Sequence, residues 1–292
     1  MDRDGPVFIT GLDRSGKTRL RRLLGAHPDV HLVRRTALWT GDDDRYGDLA
    51  DPTALAHRLD WLRSARQTSE LVAEADGWAQ EFERGPRTTS RLFAAMSAAR
   101  ANLHGKRRWG EQDAEIERHA DRLLRMLSSA RIVHLVRDPR RRYAFVVAGE
   151  RRRAGRLGSI TASWIASVRR GTAHAARYPR QYRLVRFEDL EDHPRAEMER
   201  LHEFLGLSMV PDILDGWSTE PTEPTELPEL RRGEVTFIEA WAGATMRAMG
   251  YRSSGRRTFL AAWHPVELAG FAARSVREAR SSGLALRRGA AE

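Results

Sequence analysis

The stretch Val7-Phe8-Ile9-Thr10-Gly11-Leu12-Asp13-Arg14-Ser15-Gly16-Lys17-Thr18 decides the reading of this chain. Its first four residues predict a buried strand. The remainder matches the phosphate-loop pattern, in which two glycines bracket a turn and lysine and threonine close it. Leu20, Leu23 and Leu24 then recur at helical spacing. A strand that ends in a glycine-rich turn and opens a helix directs several backbone N–H groups, together with the positive end of the helix dipole, into one concavity. An anionic phosphate or sulfate group fits there.

A chain of 292 residues suffices for one large α/β domain with a sizeable core. There is no cysteine, which excludes a disulfide framework, a thiolate metal site and a cysteine nucleophile, and is compatible with a reducing cytoplasm. Met1 to Gly5 lacks the apolar stretch of a signal peptide, and no apolar run reaches membrane-spanning length, so a soluble, cytoplasmic protein is expected. The net charge of +10 and the pI near 10.8 suit an anionic partner. Yet runs such as Arg151-Arg152-Arg153 carry no interleaved aromatics, and no nucleic-acid partner is expected. Only Lys17 and Lys106 are lysines. In a chain that writes nearly every cation as arginine, a lysine inside the loop points to a need for a compact point charge.

The runs Val7 to Thr10, Arg108 to Gly110, Ile132 to Val136 and Tyr182 to Phe187 predict buried parallel strands, separated by helical patterns such as His119 to Leu127. This alternation predicts a three-layer α/β/α domain around a central parallel sheet. From about Asp51 to His104, Leu55, Leu59, Leu62, Leu92, Ala95 and Met96 fall at helical spacing and predict a helical insertion on the substrate side, where Trp61 and Trp78 offer flat surfaces. Ser218 to Glu229 reads as a proline-rich acidic loop. Beyond Tyr251, the residues Phe259, Trp263, Leu268 and Phe271 lead into a basic helix expected to end near Ser281 and to pack on the domain. The expected organisation is a domain over 1–251, with its insertion at about 51–104, and a helical extension over 252–292.

Several blocks in order carry a resemblance. Arg14-Ser15-Gly16 with Leu20, Leu23, Leu24, His27, Pro28 and Val30 resembles the 5′-phosphosulfate loop of sulfotransferases that use 3′-phosphoadenosine 5′-phosphosulfate (PAPS). Trp109-Gly110-Glu111, the run Arg131 to Pro139, and Val185 to Leu190 resemble successive blocks of the bacterial and tyrosylprotein-type members. So do Leu201, Phe204, Leu205 and Gly206, and finally Met246, Gly250 and Tyr251. The resemblance implies a phosphate-loop fold, PAPS as cofactor with its desulfonated form PAP as product, and a hydroxyl, phenol or amine acceptor on a small molecule, sugar or peptide. It implies that Arg14, Ser15, Gly16, Lys17 and Thr18 cradle the 5′-phosphate, and that Arg137 grips the 3′-phosphate at the end of its strand.

Departures from the family pattern are specific. Lys17 stands where the family usually has threonine, and Gln112 where it has a lysine that meets the bridging oxygen. Lys17 is therefore assigned the charge-stabilising task, with Gln112 beside it as the second catalytic position. The glutamate base of tyrosylprotein-type members falls at Arg35. Phe145 and Phe187 replace two hydroxyls that would touch the cofactor. Asp42, Asp43, Asp44, Glu111 and Asp113 are the nearby acids, although in an extended segment Glu111 and Asp113 point opposite to Gln112. The histidines show no pair at metal-ligand spacing, and no metal is expected. The competing readings are an ATP-dependent kinase, because Gly-Lys-Thr is a complete kinase-type ending, and a nucleotide-binding homologue without catalysis.

Overall fold

In the computed structural model the described residues are 5–34, 36, 48–64, 68–69, 72, 77–149, 152–214, 227–254 and 265–288. Five parallel strands form one sheet in the order β2-β3-β1-β4-β5: β1 Val7–Thr10, β2 Val30–Arg34, β3 Arg108–Gln112, β4 Arg131–Val136 and β5 Tyr182–Arg186. Between and after them run α1 Lys17–Ala26, α2 Pro52–Ser64, α3 Trp78–Glu83, α4 Thr89–Leu103, α5 Ile116–Met126 and α6 Pro139–Gly149. The series continues with α7 Arg156–Arg177, α8 Phe187–Asp192, α9 Pro194–Leu205, α10 Arg232–Ala248 and α11 Pro265–Arg288.

Strand periodicity sorts these helices into layers. Val7, Ile9, Val133 and Leu135 face one side, where they pack on Leu20, Leu23 and Leu24 of α1 and Met198, Leu201 and Leu205 of α9. Phe8, Trp109, Ile132 and Tyr182 face the other, against α4 and α5. There Trp109 meets Phe8 and Phe93 edge-on, with 5.7 Å between centroids in each pair. The insertion is helical and contributes to the core: Leu62, Phe82, Leu92 and Met96 belong to that second cluster. A third cluster joins α6, α7 and α10 through Val136, Trp164, Phe237 and Tyr251.

The strand reading needs two corrections. Val30–Arg34 is a fifth strand, whose Val30 and Leu32 alternate inward beside β3; three apolar residues in the five, with Val33 on the other face, were too weak a signal. Phe187 belongs to α8 rather than to β5, since the chain turns at Arg186 to place Phe187 against the glycine-rich loop. The last helix also runs on past Ser281 to Arg288.

Helix α11 is held against α7 by very close backbone contact. A Cβ on Gly158 would lie 1.9 Å from the Glu267 carbonyl, and one on Gly270 would lie 2.1 Å from that of Gly155. Glu267 then caps α7 from outside: its carboxylate accepts from the backbone N–H groups of Gly155 (2.9 Å) and Gly158 (3.0 Å). Intrinsic helix propensity favours Gly158→Ala by about 1 kcal/mol, but overpacking against fixed backbone costs about 1–3 kcal/mol. The contact is expected to win. Chemical denaturation should find Gly158→Ala less stable than the parent, and a more stable variant would contradict the crossing.

Candidate functional site

The carboxyl ends of β1, β3 and β4 meet at one edge of the sheet, where an open α/β fold binds its ligands. Beyond β1 the backbone takes left-handed conformations at Gly11 (φ +128°), Arg14 (φ +68°) and Gly16 (φ +93°). Two are enforced by packing. A Cβ on Gly11 would fall 2.2 Å from the Leu135 carbonyl, and one on Gly16 would fall 2.1 Å from the Phe187 ring. Arg14 adopts this conformation with a side chain, at a cost of order 1 kcal/mol that the surrounding contacts must cover.

Those contacts come from three cations. Lys17 Nζ donates to the carbonyls of Gly11 (2.6 Å) and Leu12 (2.7 Å). Arg142 Nε donates to that of Asp13 (2.9 Å), and Arg137 Nη1 to that of Arg14 (3.1 Å). Four consecutive carbonyls are thus drawn to positive charge on one side of the loop. A planar trans peptide unit sets its N–H opposite its C=O, so the amides of Leu12, Asp13 and Arg14 are directed to the other side, while the Ser15 N–H turns back onto the Leu12 carbonyl (3.2 Å). That side opens α1 and is built for an anion. Ser15 Oγ is buried in the loop with no hydrogen-bond partner among the described residues, an acceptor-poor position that an anion's oxygens would complete.

Arg14, Ser15, Gly16, Lys17 and Thr18 therefore lie together on the loop and the first turn of α1. Gln112 ends β3 in register with Ile9, beside the start of the loop, and its Oε1 is buried without a partner among the described residues. Arg137 follows β4 and is 1 % exposed, with its guanidinium 3.8 Å from the Phe187 ring centroid and 4.5 Å from that of Phe145. The two aromatic residues that replace the expected hydroxyls hold this guanidinium flat. Lys17 is directed onto the loop's own carbonyls, and burial pulls its ammonium down to about 8, against which Asp13, 3.8 Å away, raises it.

The acids beside Gln112 are occupied. Glu111 Oε1 accepts from the N–H (2.5 Å) and the hydroxyl (2.8 Å) of Thr36, and Asp113 accepts from the N–H of Glu115. Arg35 and Asp42 to Asp44 lie outside the described residues. Trp61 is partly exposed, with the Arg58 guanidinium 4.6 Å from its ring, and Trp78 packs on the core.

Sequence reading missed two groups of residues. Arg142 belongs to the run Arg140-Arg141-Arg142, which reads as a solvated charge cluster; Arg140 does pair with Asp138 and Glu239, and Arg141 with Glu191, but Arg142 is buried against the loop. The second group lies beneath β1 and β4. Glu117 accepts from Ser167 Oγ (2.5 Å) and Arg170 (2.7 Å), and His134 lies 3.1 Å from Glu117 and 2.7 Å from the Tyr182 hydroxyl. Burial lowers His134 to about 4, so its ring is neutral. Arg170 and Arg118 continue to Glu278 of α11, beside a cavity of about 730 Å³ lined in part by Ile165, Trp241 and Phe271. No local pattern marks residues this far apart in sequence.

The quoted sequence blocks converge behind the loop. Glu188 accepts from the N–H of Asp138 (2.9 Å) and from the Tyr251 hydroxyl (3.0 Å), Arg186 lies 4.6 Å from the Tyr251 ring, and Trp164 Nε1 donates to the Arg137 carbonyl (2.8 Å). A sequence model of the sulfotransferase family matches residues 6–212, a span that holds the loop, all five strands and Arg137. The chain belongs to the sulfotransferase family. The sulfotransferase domain from the curacin biosynthetic pathway is similar in structure, with a TM-score of 0.51 at 15 % identity over 85 % of this chain and 98 % of that one. Sulfotransferase STF9 from Mycobacterium avium gives 0.50 at 13 % identity over 88 % of this chain and 79 % of that one. At such identities these likenesses establish the three-layer fold. Among the described residues no helix is long and apolar enough to cross a membrane.

The depressed Lys17 sets a pH dependence. Its value in the folded chain, about 8, lies below the unfolded value of 10.5, so between these limits the unfolded chain binds the extra proton and stability rises with pH. The destabilisation is fully present below pH 8 and gone above pH 10.5. Relative to Lys17→Met, in which other titrations cancel, the parent should gain about 3 kcal/mol across this window in denaturant unfolding. A flat difference would mean that the ammonium is not buried.

Proposed function

We propose that this sulfotransferase moves a sulfuryl group from PAPS to a hydroxyl, phenol or amine of a small-molecule, sugar or peptide acceptor, in a cytoplasmic setting. The observation that carries this reading is the loop whose carbonyls from Gly11 to Arg14 are held by cations, leaving the N–H groups that open α1 and the buried Ser15 hydroxyl for a phosphate. PAPS supplies an activated sulfuryl group, and PAP is what remains once it is transferred. The loop amides, Ser15 and Thr18 hold the 5′-phosphate, and Arg14 adds charge at the rim. Lys17, one proton transfer from neutrality near pH 8, releases the loop carbonyls and supplies a compact positive charge, while Gln112 offers an amide donor at the β3 end. Arg137 grips the 3′-phosphate, its plane fixed by Phe145 and Phe187. Residues 1–251 form the catalytic unit in this reading, with 252–292 as an extension that braces it.

An ATP-dependent kinase shares the Gly-Lys-Thr ending but needs a carboxylate at a neighbouring strand end to organise Mg²⁺. Here β4 is followed by Arg137 and then by Asp138, whose carboxylate is engaged by Arg140 (2.5 Å). The acids beside Gln112 are equally committed, which suits an acceptor that ionises easily, such as a phenol.

Calorimetry should find PAP binding that needs no divalent metal and is tighter than that of Mg-ATP, since protein cations suffice for a sulfuryl group's modest charge. Tight, Mg²⁺-dependent ATP binding with none for PAP would overturn the reading. Replacing Arg137 by alanine removes a charge-assisted contact worth about 1.5–3 kcal/mol, so PAP affinity should fall roughly ten- to a hundredfold while turnover at saturation changes less. Unchanged affinity would remove Arg137 from the site.

A further inference from the structure

Arg142 is more buried and less satisfied than its position in an arginine run suggests. It is 7 % exposed; its Nε is used on the Asp13 carbonyl, and its Nη1 is buried with no hydrogen-bond partner among the described residues. Its neighbours in the run, Arg140 and Arg141, each bind carboxylates. The charged groups around Arg142 do not balance it. Asp13 is 90 % exposed, Glu117 is taken by Ser167 and Arg170, and Lys17, Arg156 and Arg274 are cations. A buried guanidinium with an unfilled donor and cationic neighbours is costly to keep unless a ligand completes it.

Its place on the helix specifies which anion. Arg137 and Arg142 grip the adjacent carbonyls of Arg14 and Asp13, on the side of the loop away from the amide concavity. The anion in the concavity is therefore not the one that Arg142 faces. Arg142 also precedes Phe145 by three residues on α6, and residues so spaced share a helix face. Phe145 occupies the position where the family resemblance implies a hydroxyl for the cofactor.

We infer that Arg142 is a second guanidinium ligand of the 3′-phosphate of the nucleotide, donating from Nη1 in place of the hydroxyl lost at Phe145. This rests on the PAPS reading and adds to it a residue outside the family's quoted blocks. It divides the work of one side chain: Nε keeps the Asp13 carbonyl turned outward, and Nη1 meets a phosphate oxygen. Paired with Arg137, it offers two cations to a dianion.

The test compares PAP with adenosine 5′-monophosphate, which lacks the 3′-phosphate, by calorimetry on the full chain. Arg142→Met removes the Nε contact with the loop for both ligands and should weaken PAP roughly ten- to a hundredfold more than it weakens the 5′-monophosphate. The ratio of the two affinities cancels any loss of folded protein. Adding Phe145→Ser to Arg142→Met should recover part of the PAP affinity by restoring the hydroxyl. An Arg142→Met variant that keeps the parental ratio, whether both ligands weaken together or neither does, overturns the inference while leaving the PAPS reading in place. A parent chain that does not bind PAP overturns both.

Discussion

The site depends on one arrangement of charge: Lys17, Arg142 and Arg137 take the carbonyls of Gly11 through Arg14 and so decide which way every peptide plane of the loop faces. Without them the left-handed Arg14 and the turned glycines would lack a counterweight. Two of the cations come from the segment that follows β4, not from the loop itself. Strand β4 is thus more than a neighbour of β1. It delivers the groups that shape the loop, and Phe187, at the end of β5, closes the same unit from behind.

Much of this was legible in the sequence. The loop is a contiguous pattern whose parts need each other for local reasons: glycine where φ is positive or backbone comes close, and a helix starting at once. The parallel layers follow from apolar runs alternating with helical spacing, and the insertion from its leucines. What was illegible shares a different cause. Strand β2 has only Val30 and Leu32 to bury, since it lies at the sheet edge. Arg142 looks like Arg140 and Arg141 until the helix is placed. The roles of Phe145 and Phe187 read as losses of hydroxyls, whereas in the fold they supply rings for Arg137. A substitution seen in sequence reports what is absent and is silent about what the new side chain touches.

The polar interior between the sheet and α7 shows the same limit. Thr10, Glu117, His134, Ser167, Arg170 and Tyr182 come from five separate elements and are all partnered among themselves or with α11. Partial networks are costly, and this one is filled. His134 stays neutral within it, so Glu117 takes its countercharge from Arg170.

Helix α11 gives this arrangement a consequence in time. Its Glu267 and Glu278 meet Gly155, Gly158, Arg118 and Arg170 across separations of 108 to 160 residues. Gly155, Gly158 and Arg170 belong to α7, which precedes β5 in sequence and packs on it, whereas Arg118 belongs to α5, which reaches β1 across 107 residues at Glu117 and Thr10. Closing such long loops costs entropy, a cost that the sheet shares, since β1 pairs with β4 between residues as far apart as Val7 and Arg131. Glu267 is the cap of α7, whereas Arg118 and Arg170 each add Glu278 to a carboxylate they already hold, Glu115 and Glu117. A departure of α11 would uncap α7 and leave Arg118 and Arg170 with one carboxylate each, which ties the lifetime of that flank to a segment more than a hundred residues along the chain.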